Sequence, residues 1–288
     1  MIQKRFFREI FVCLACVLLC AANALTASIH YVQQESSLSD DPKELYIDLM
    51  KRAVANTIYE DPAYAMPNPN QLTRFNSMTR ELGKDHPLYA HTMIGMKRLN
   101  NIQACLVDIL NNNVQGDCIE TGVWRGGATI LMRAILKAYG DTTRKVWVAD
   151  SFAGLPPPDV AHYPQDRGIF LCDVPYLSVS METVQDNFKK YGLLDKQVVF
   201  LKGFFKDTLL TAPVEKISLL RLDGDLYQST IEALTALYPK VSIGGYIIID
   251  DAQIPACMSA VTDYRKMYGI EDPAFWIDQD GLYWQKTK

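Results

Sequence analysis

Six acidic residues of this chain stand where apolar runs give way to turns: Glu120, Asp150, Asp223, Asp225, Asp250 and Asp251. Carboxylates brought together at adjacent strand ends repel one another unless a cation sits among them, and hard oxygen ligands suit Mg²⁺, Ca²⁺ or Mn²⁺. Asp223, Asp250 and Asp251 are the expected ligands, with Asp225 beside them. Capping of the helices expected over 229–238 and 255–268 is the structural alternative. Histidine does not join this pattern, so zinc is not indicated. A second signature is Cys118-Ile119-Glu120-Thr121-Gly122-Val123-Trp124-Arg125-Gly126-Gly127-Ala128, an apolar run, an acid, a small hydroxyl and then glycines. Glycine permits close backbone approach, and a helix start presents unpaired N–H groups. The loop therefore reads as a cradle for a nucleotide or nucleoside cofactor, with the spacing G-x-x-x-G-G. Asp150, about thirty residues on, is placed to accept both ribose hydroxyls of such a cofactor, or else to cap the next segment.

Positioning these residues requires a particular set of elements. Short apolar runs at 117–121, 146–150, 198–202, 217–223 and 246–250 alternate with helical patterns at 127–139, 178–191, 229–238 and 255–268. Continuous apolar strands separated by helices predict a parallel sheet covered on both faces. Residues 275–277 and 282–285 flank Asp278-Gln279-Asp280-Gly281 and predict a terminal antiparallel hairpin. Ligands of such a sheet bind beyond the carboxyl ends of its strands, where each run ends in polar or glycine residues. Before the sheet, helices are expected over 45–59 and 91–110, separated by a Pro- and Asn-rich loop at 62–70. His91 leads the second helix and His162 lies in the long loop 152–177; each is a proton-transfer candidate or a structural histidine. That loop, with Pro156-Pro157-Pro158, is expected to act as a lid.

The N-terminus stands apart. Lys4, Arg5 and Arg8 precede an uncharged run from Ile10 to Leu25, and Ala22, Ala24 and Ala27 follow the layout of a cleavage site. Residues 1–27 read as a signal peptide or signal anchor, which points to the secretory pathway or membrane attachment. Residues 28–42, including His30, read as a linker, 43–112 as an N-terminal helical cap and 113–288 as the sheet core. A net charge of −4, with no basic cluster outside the N-terminus, argues against a nucleic-acid partner. Of seven cysteines, Cys13, Cys16 and Cys20 lie in the leader, and Cys105, Cys118, Cys172 and Cys257 are scattered and read as buried thiols.

Several motifs in order along residues 45–286 carry a resemblance. They are Asn56 to Asp61, Ala90-His91-Thr92-Met93-Ile94-Gly95, Glu120 to Gly127, Val148-Ala149-Asp150-Ser151-Phe152 with Gly154 to Pro158, Leu201 to Leu209, Leu222 to Tyr227 and Ile248 to Asp251. Together they resemble the macrocin O-methyltransferase (TylF-type) family. The resemblance implies an S-adenosylmethionine-dependent, Mg²⁺-dependent class I methyltransferase: a Rossmann-like α/β fold acting on hydroxyls of a sugar or similar vicinal diol. It implies that Glu120, Thr121, Gly122 and Gly126 hold the methionine part of the cofactor. Asp150 would hold its ribose, Ser151 and Phe204 with Gly203 would lie near adenine, and Thr92 and Met93 would close over it. Asp223 doubles as candidate base. The acceptor is a small molecule or glycan, and a homo-oligomer is possible.

Three rival readings remain at this point. A membrane anchor, a stalk and Asp223-Gly224-Asp225 as a D-x-D motif also describe a type II glycosyltransferase, although that leaves the glycine loop and Asp250-Asp251 unexplained. A non-catalytic binding module would not need the intact acids. A NAD-dependent enzyme would carry G-x-G-x-x-G, which is absent.

Overall fold

A computed structural model describes residues 41–66 and 68–288. The leader and all of the linker up to residue 40 lie outside the described residues, and with them His30 and the three leader cysteines. Tyr46–Lys288 fold as one unit.

Helix α1 (Pro42–Val54) buries Ile47, Met50, Lys51 and Val54, the i, i+3, i+4, i+7 stripe of an amphipathic helix. A two-stranded antiparallel sheet follows, β1 (Ala63–Ala65) with β2 (Asn68–Thr73), where the sequence predicts only a loop. β2 is exposed along its whole length, so it shows no alternation of apolar and polar residues. Helix α2 (Ser77–Glu81) is capped by the Asn76 side chain, and α3 (Gly95–Asn111) completes the cap. The helix expected from residue 91 begins four residues later. The N–H groups of His91 and Thr92 donate to the Val54 carbonyl, at 2.8 and 3.1 Å, so His91–Ile94 is tied to α1 rather than to the helix it precedes.

The core contains β3 (Asp117–Thr121), α4 (Gly127–Ala138), β4 (Val146–Asp150), α5 (Met181–Lys190), β5 (Val198–Lys202), α6 (Phe205–Thr208), β6 (Ile217–Leu222), α7 (Tyr227–Leu237), β7 (Val241–Ile249), α8 (Pro255–Met267), β8 (Ala274–Trp276) and β9 (Leu282–Gln285). The sheet order is β5-β4-β3-β6-β7-β9-β8. The first five strands are parallel, while β9 runs antiparallel to β7 and β8 to β9. This is the expected parallel sheet with a terminal hairpin. Alternate residues feed two cores. Cys118, Val148, Leu219 and Ile248 face α3 and α4, and Ile119, Trp147, Leu220 and Ile249 face α7 and α8, the period-2 alternation of a strand.

Register fixes where the chemistry falls. Thr121 pairs with Ala149 and with Leu222, and Leu222 pairs with Ile249. The next residues, Gly122, Asp150, Asp223 and Asp250, therefore leave the sheet side by side. The chain winds outward from β3 through β4 to β5 and returns to β6 on the other side of β3, which makes the β3/β6 boundary a topological switch point.

Cys105, Cys118 and Cys257 are buried free thiols as expected; Cys172 is also free but partly exposed. Among the described residues no helix is long and apolar enough to cross a membrane.

Trp284 on β9 is fully buried, beneath the Arg265 guanidinium 4.8 Å from its ring centroid. Trp284→Ala should lower unfolding free energy by about 3–5 kcal/mol, the usual range for deleting a core tryptophan. Urea denaturation checks this, with an unchanged midpoint as the contrary result.

Candidate active site

A cavity of 580 Å³ opens at the carboxyl ends of the strands. It collects Thr92, Met93, Glu120, Gly122, Asp150, Ser151, Phe204, Asp223, Asp250 and Asp251 from segments far apart in sequence. Thr121, Gly126 and Gly203, also expected at a cofactor, do not line it. Thr121 is buried in the sheet, and its carbonyl accepts the Asp223 N–H. Gly126 is the left-handed N-cap of α4 and packs against Val184. Gly203 packs against Thr208.

The glycines also serve a purpose other than the one expected. A Cβ on Gly122 (φ +84°) would lie 1.6 Å from the Asp223 carbonyl oxygen, and one on Gly127 would lie 2.4 Å from the His91 carbonyl oxygen. Both clash with this chain's own backbone, so the glycine loop is small because β6 and the cap press on it. Gly127 N–H donates to that His91 carbonyl at 2.8 Å. Arg125 stacks on Trp124 at 4.1 Å and donates to the carbonyls of Pro87 and Ala90, at 3.1 and 2.9 Å, completing a clamp between cap and core.

Asp150 organises the next turn. Its Oδ2 accepts the Val123 N–H at 2.8 Å and its Oδ1 the Phe152 N–H at 2.7 Å. Burial raises its pKa against these bonds. The capping alternative is therefore met, since Asp150 braces two backbone turns, and the residue also lines the cavity.

Glu120 and the aspartates share a partner that the sequence reading missed. Arg221, wholly buried on β6, pairs with Glu120, with Asp223 at 2.8 Å and with Asp250. Arg98 of α3 reaches Asp250 at 2.5 Å and Asp278 at 3.2 Å. The available signal was Arg221 itself, a charge inside the apolar run Ile217-Ser218-Leu219-Leu220-Arg221-Leu222. Of the cavity's carboxyl groups Glu120, Asp223, Asp225, Asp250 and Asp251, these two guanidinium groups pair with Glu120, Asp223 and Asp250. Neutralisation is incomplete and pKa values rise accordingly. Burial pushes Glu120 up to about 8 despite Arg221, with Asp223 and Asp250 adding to the shift. Burial and Asp250 raise Asp223 to about 6; burial and Asp223 raise Asp225 to about 7; burial and Asp225 carry Asp251 well above the carboxylate range.

The donor set fits a divalent cation. One carboxylate oxygen each from Asp223, Asp250 and Asp251 lies within 4.8 Å of the others, and the surplus negative charge is what a hard cation offsets. Among the described residues, Glu120 Oε2 is buried without a hydrogen-bond partner.

His91 lines the cavity with its Nδ1 2.7 Å from the Tyr191 hydroxyl, and burial lowers its pKa to about 4. His162 lies outside this cavity, exposed and paired with Asp159 at 2.8 Å. His86 was not singled out by sequence; its Nδ1 lies 2.9 Å from the hydroxyl of Tyr176 in the 152–177 loop. Trp124 Nε1 donates to the Tyr176 carbonyl at 2.9 Å. Farther back in that loop, buried Asp166 accepts the Tyr227 and Gln228 N–H groups at the start of α7, at 2.6 and 3.0 Å.

A parallel α/β sheet in this strand order, with an acid-ended glycine loop, an acid ending β4 and a carboxylate cluster at its switch point, defines a methyltransferase of the Rossmann-like class. Comparison with known proteins narrows this. The chain belongs to the macrocin-O-methyltransferase (TylF) family, whose profile matches residues 43–286. It is 50% identical over 252 residues to demethyldecarbamoylnovobiocin O-methyltransferase of Streptomyces niveus, covering 87% of this chain and 96% of that one. It is likewise 50% identical over 247 residues to mycinamicin III 3''-O-methyltransferase of Micromonospora griseorubida, covering 85% and 97%. The solved structure of the O-methyltransferase NovP superposes with a TM-score of 0.81 at 51% identity, over 85% of this chain and 100% of that chain. The calicheamicin methyltransferase CalS11 shares the fold at TM-score 0.53 and 19% identity, over 86% and 94%. The protein is an O-methyltransferase, and none of these findings favours the glycosyltransferase, dinucleotide or non-catalytic readings.

The buried acids give a signed pH dependence. Glu120, raised from 4.5 to about 8 by burial, keeps its proton when folded while the unfolded chain has lost it. Its contribution is fully present below pH 4.5 and lost as pH rises through 8. Melting temperature without divalent cations should therefore fall from pH 6 to 8.5, and Glu120→Gln should flatten that slope; parallel slopes for the two proteins would refute it.

Proposed function

We propose that this protein is an S-adenosylmethionine- and divalent-metal-dependent O-methyltransferase acting on a hydroxyl of a sugar, with a neighbouring hydroxyl on the same ring. The observation that carries the reading is the convergence, in one cavity, of Glu120 and Asp150 with the carboxylates of Asp223, Asp250 and Asp251. The relatives support the acceptor class. One is named for demethyldecarbamoylnovobiocin, another from Streptomyces olivaceus (49% identical over 255 residues) for a rhamnosyl group on tetracenomycin C, and a third for mycinamicin III. The charge pattern of residues 1–27 supports secretion or membrane attachment of the domain.

When bound, S-adenosylmethionine supplies the electrophilic sulfonium methyl, and a divalent cation polarises the acceptor hydroxyls. The chain's own residues do the rest. Glu120 would offer Oε2 to the cofactor's cationic end, whose charge would favour loss of the proton that Glu120 holds in the unliganded protein, and Asp150 would offer its remaining lone pairs to the ribose. Thr92 and Met93, on the strap between α1 and α3, cover the cavity from the cap side. Asp223, Asp250 and Asp251 would hold the cation, which would supply polarisation of the acceptor hydroxyl there. A carboxylate then takes the hydroxyl proton as the O–CH₃ bond forms and the C–S bond breaks. Asp223 is one candidate base, but its Oδ2 accepts from Arg221 at 2.8 Å. Asp225, held in a left-handed conformation (φ +58°) with its backbone N–H on Asp251, lines the same cavity without a guanidinium contact and is the second candidate.

Two outcomes are expected. Methyl transfer from labelled S-adenosylmethionine to rhamnosides should disappear with EDTA and return with Mg²⁺; full activity after chelation would sink the metal requirement. Asp150→Asn should weaken S-adenosylhomocysteine binding by about 10–100-fold, the worth of a hydrogen bond to a charged group, as read by calorimetry.

A further inference from the structure

We propose that His91 is an uncharged hydrogen-bond donor to the carboxylate at the cofactor's methionine end, and that Tyr191 is the positioning residue that fixes its ring for this task; this rests on the S-adenosylmethionine reading above. His91 lines the catalytic cavity together with Thr92, Met93 and Glu120. Its backbone is held from both sides. The N–H donates to the Val54 carbonyl at 2.8 Å, and the carbonyl accepts the Gly127 N–H at 2.8 Å. Its Nδ1 lies 2.7 Å from the hydroxyl of Tyr191, the residue that ends α5. The two rings meet edge to face, 5.4 Å apart at 77°. With Nδ1 engaged, Nε2 is the ring's polar atom left for a bound molecule.

The proton between the two rings decides what Nε2 can do. Burial raises the Tyr191 pKa to about 12, so the phenol keeps its hydrogen. An imidazole nitrogen accepts better than a phenol oxygen, so the hydroxyl donates to Nδ1 and the ring hydrogen resides on Nε2. Burial lowers the His91 pKa to about 4, and Lys190 and Arg125 push the same way. Near neutral pH the ring is thus a donor without charge, and its Nε2 is no proton acceptor. The surroundings select an anion as its partner. Lys190 donates to the Asn187 amide oxygen at 3.1 Å and Arg125 to the Pro87 and Ala90 carbonyls, none of them anionic, so both leave positive potential at His91. Asp61 opposes them but is itself paired with Arg80 at 2.7 Å. An amino-acid zwitterion, ammonium toward Glu120 and carboxylate toward His91, matches this division of charge.

Two measurements test the assignment. Nitrogen-15 NMR of the unaltered protein should show His91 as the Nε2–H tautomer, and Tyr191→Phe should release the ring to a mixture of tautomers. Calorimetry uses S-adenosylhomocysteine and its decarboxylated analogue, which keeps the ammonium and lacks the carboxylate. His91→Phe should weaken S-adenosylhomocysteine about 10–100-fold, the worth of a hydrogen bond to a charged group, and leave the analogue's affinity unchanged. His91→Gln, whose amide N–H reaches as far as Nε2, should recover most of that loss. An Nδ1–H tautomer in the unaltered protein, an unchanged tautomer in Tyr191→Phe, equal weakening of both probes by His91→Phe, or no recovery in His91→Gln would overturn the proposal. The first of these readouts requires no variant to fold. Failure of the unaltered protein to bind S-adenosylhomocysteine at all would instead strike the cofactor reading on which the proposal rests.

Discussion

Arg221 is the charge around which the sheet edge is assembled. Its planar guanidinium lies among acids from three adjacent strand ends, Glu120 of β3, Asp223 after β6 and Asp250 after β7. A fork of donors is suited to such multiple pairing, where a lysine would offer only a point charge. Removing water from so many carboxylates is costly, and a buried cation with good geometry is what makes the arrangement tolerable. Arg98 extends the same network into the cap, joining α3 to Asp250 and to the β8–β9 turn at Asp278. One set of ion pairs thus links the cap to the convergent strand ends, alongside the Arg125 clamp.

Much of this was legible in the sequence because strand and helix periods are local properties. The five parallel strands, the terminal hairpin, Asp150 and the acid cluster follow from apolar runs and the polar residues that end them. What the sequence concealed was long-range. The partners of Arg221 and Arg98 are brought together by topology, and the hairpin β1–β2 lacks any buried face that would imprint alternation. Residues 91–94 continue the helical pattern in sequence, yet the His91 and Thr92 N–H groups donate to the Val54 carbonyl instead. The inference that acids at strand ends need a cation left two arginines out of its accounting, and these already supply positive charge to Glu120, Asp223 and Asp250.

The glycine loop shows how a motif and its cause can separate. Its spacing signals a cofactor cradle, but the steric demand at Gly122 and Gly127 comes from the Asp223 and His91 carbonyls. Close packing of β6 against β3 and of the cap against α4 brings the loop to the cavity. The same contacts that exclude a side chain hold the turn in place, so the loop is shaped before any ligand arrives. Positive φ at Trp124, Phe152 and Asp225 concentrates backbone strain at the same rim.

The Asp166 brace has a consequence for the long loop over the cavity. A free loop of such length loses considerable entropy whenever it closes, but one pinned near its midpoint behaves as two shorter spans with separate closure costs. The span from Phe152 to Tyr163 ends with its Tyr163 ring 6.0 Å from that of Tyr227, and the span from Arg167 to Leu177 ends on Tyr176 between His86 and Trp124. Each can change length or composition without dragging the other while the anchoring carboxylate stays fixed.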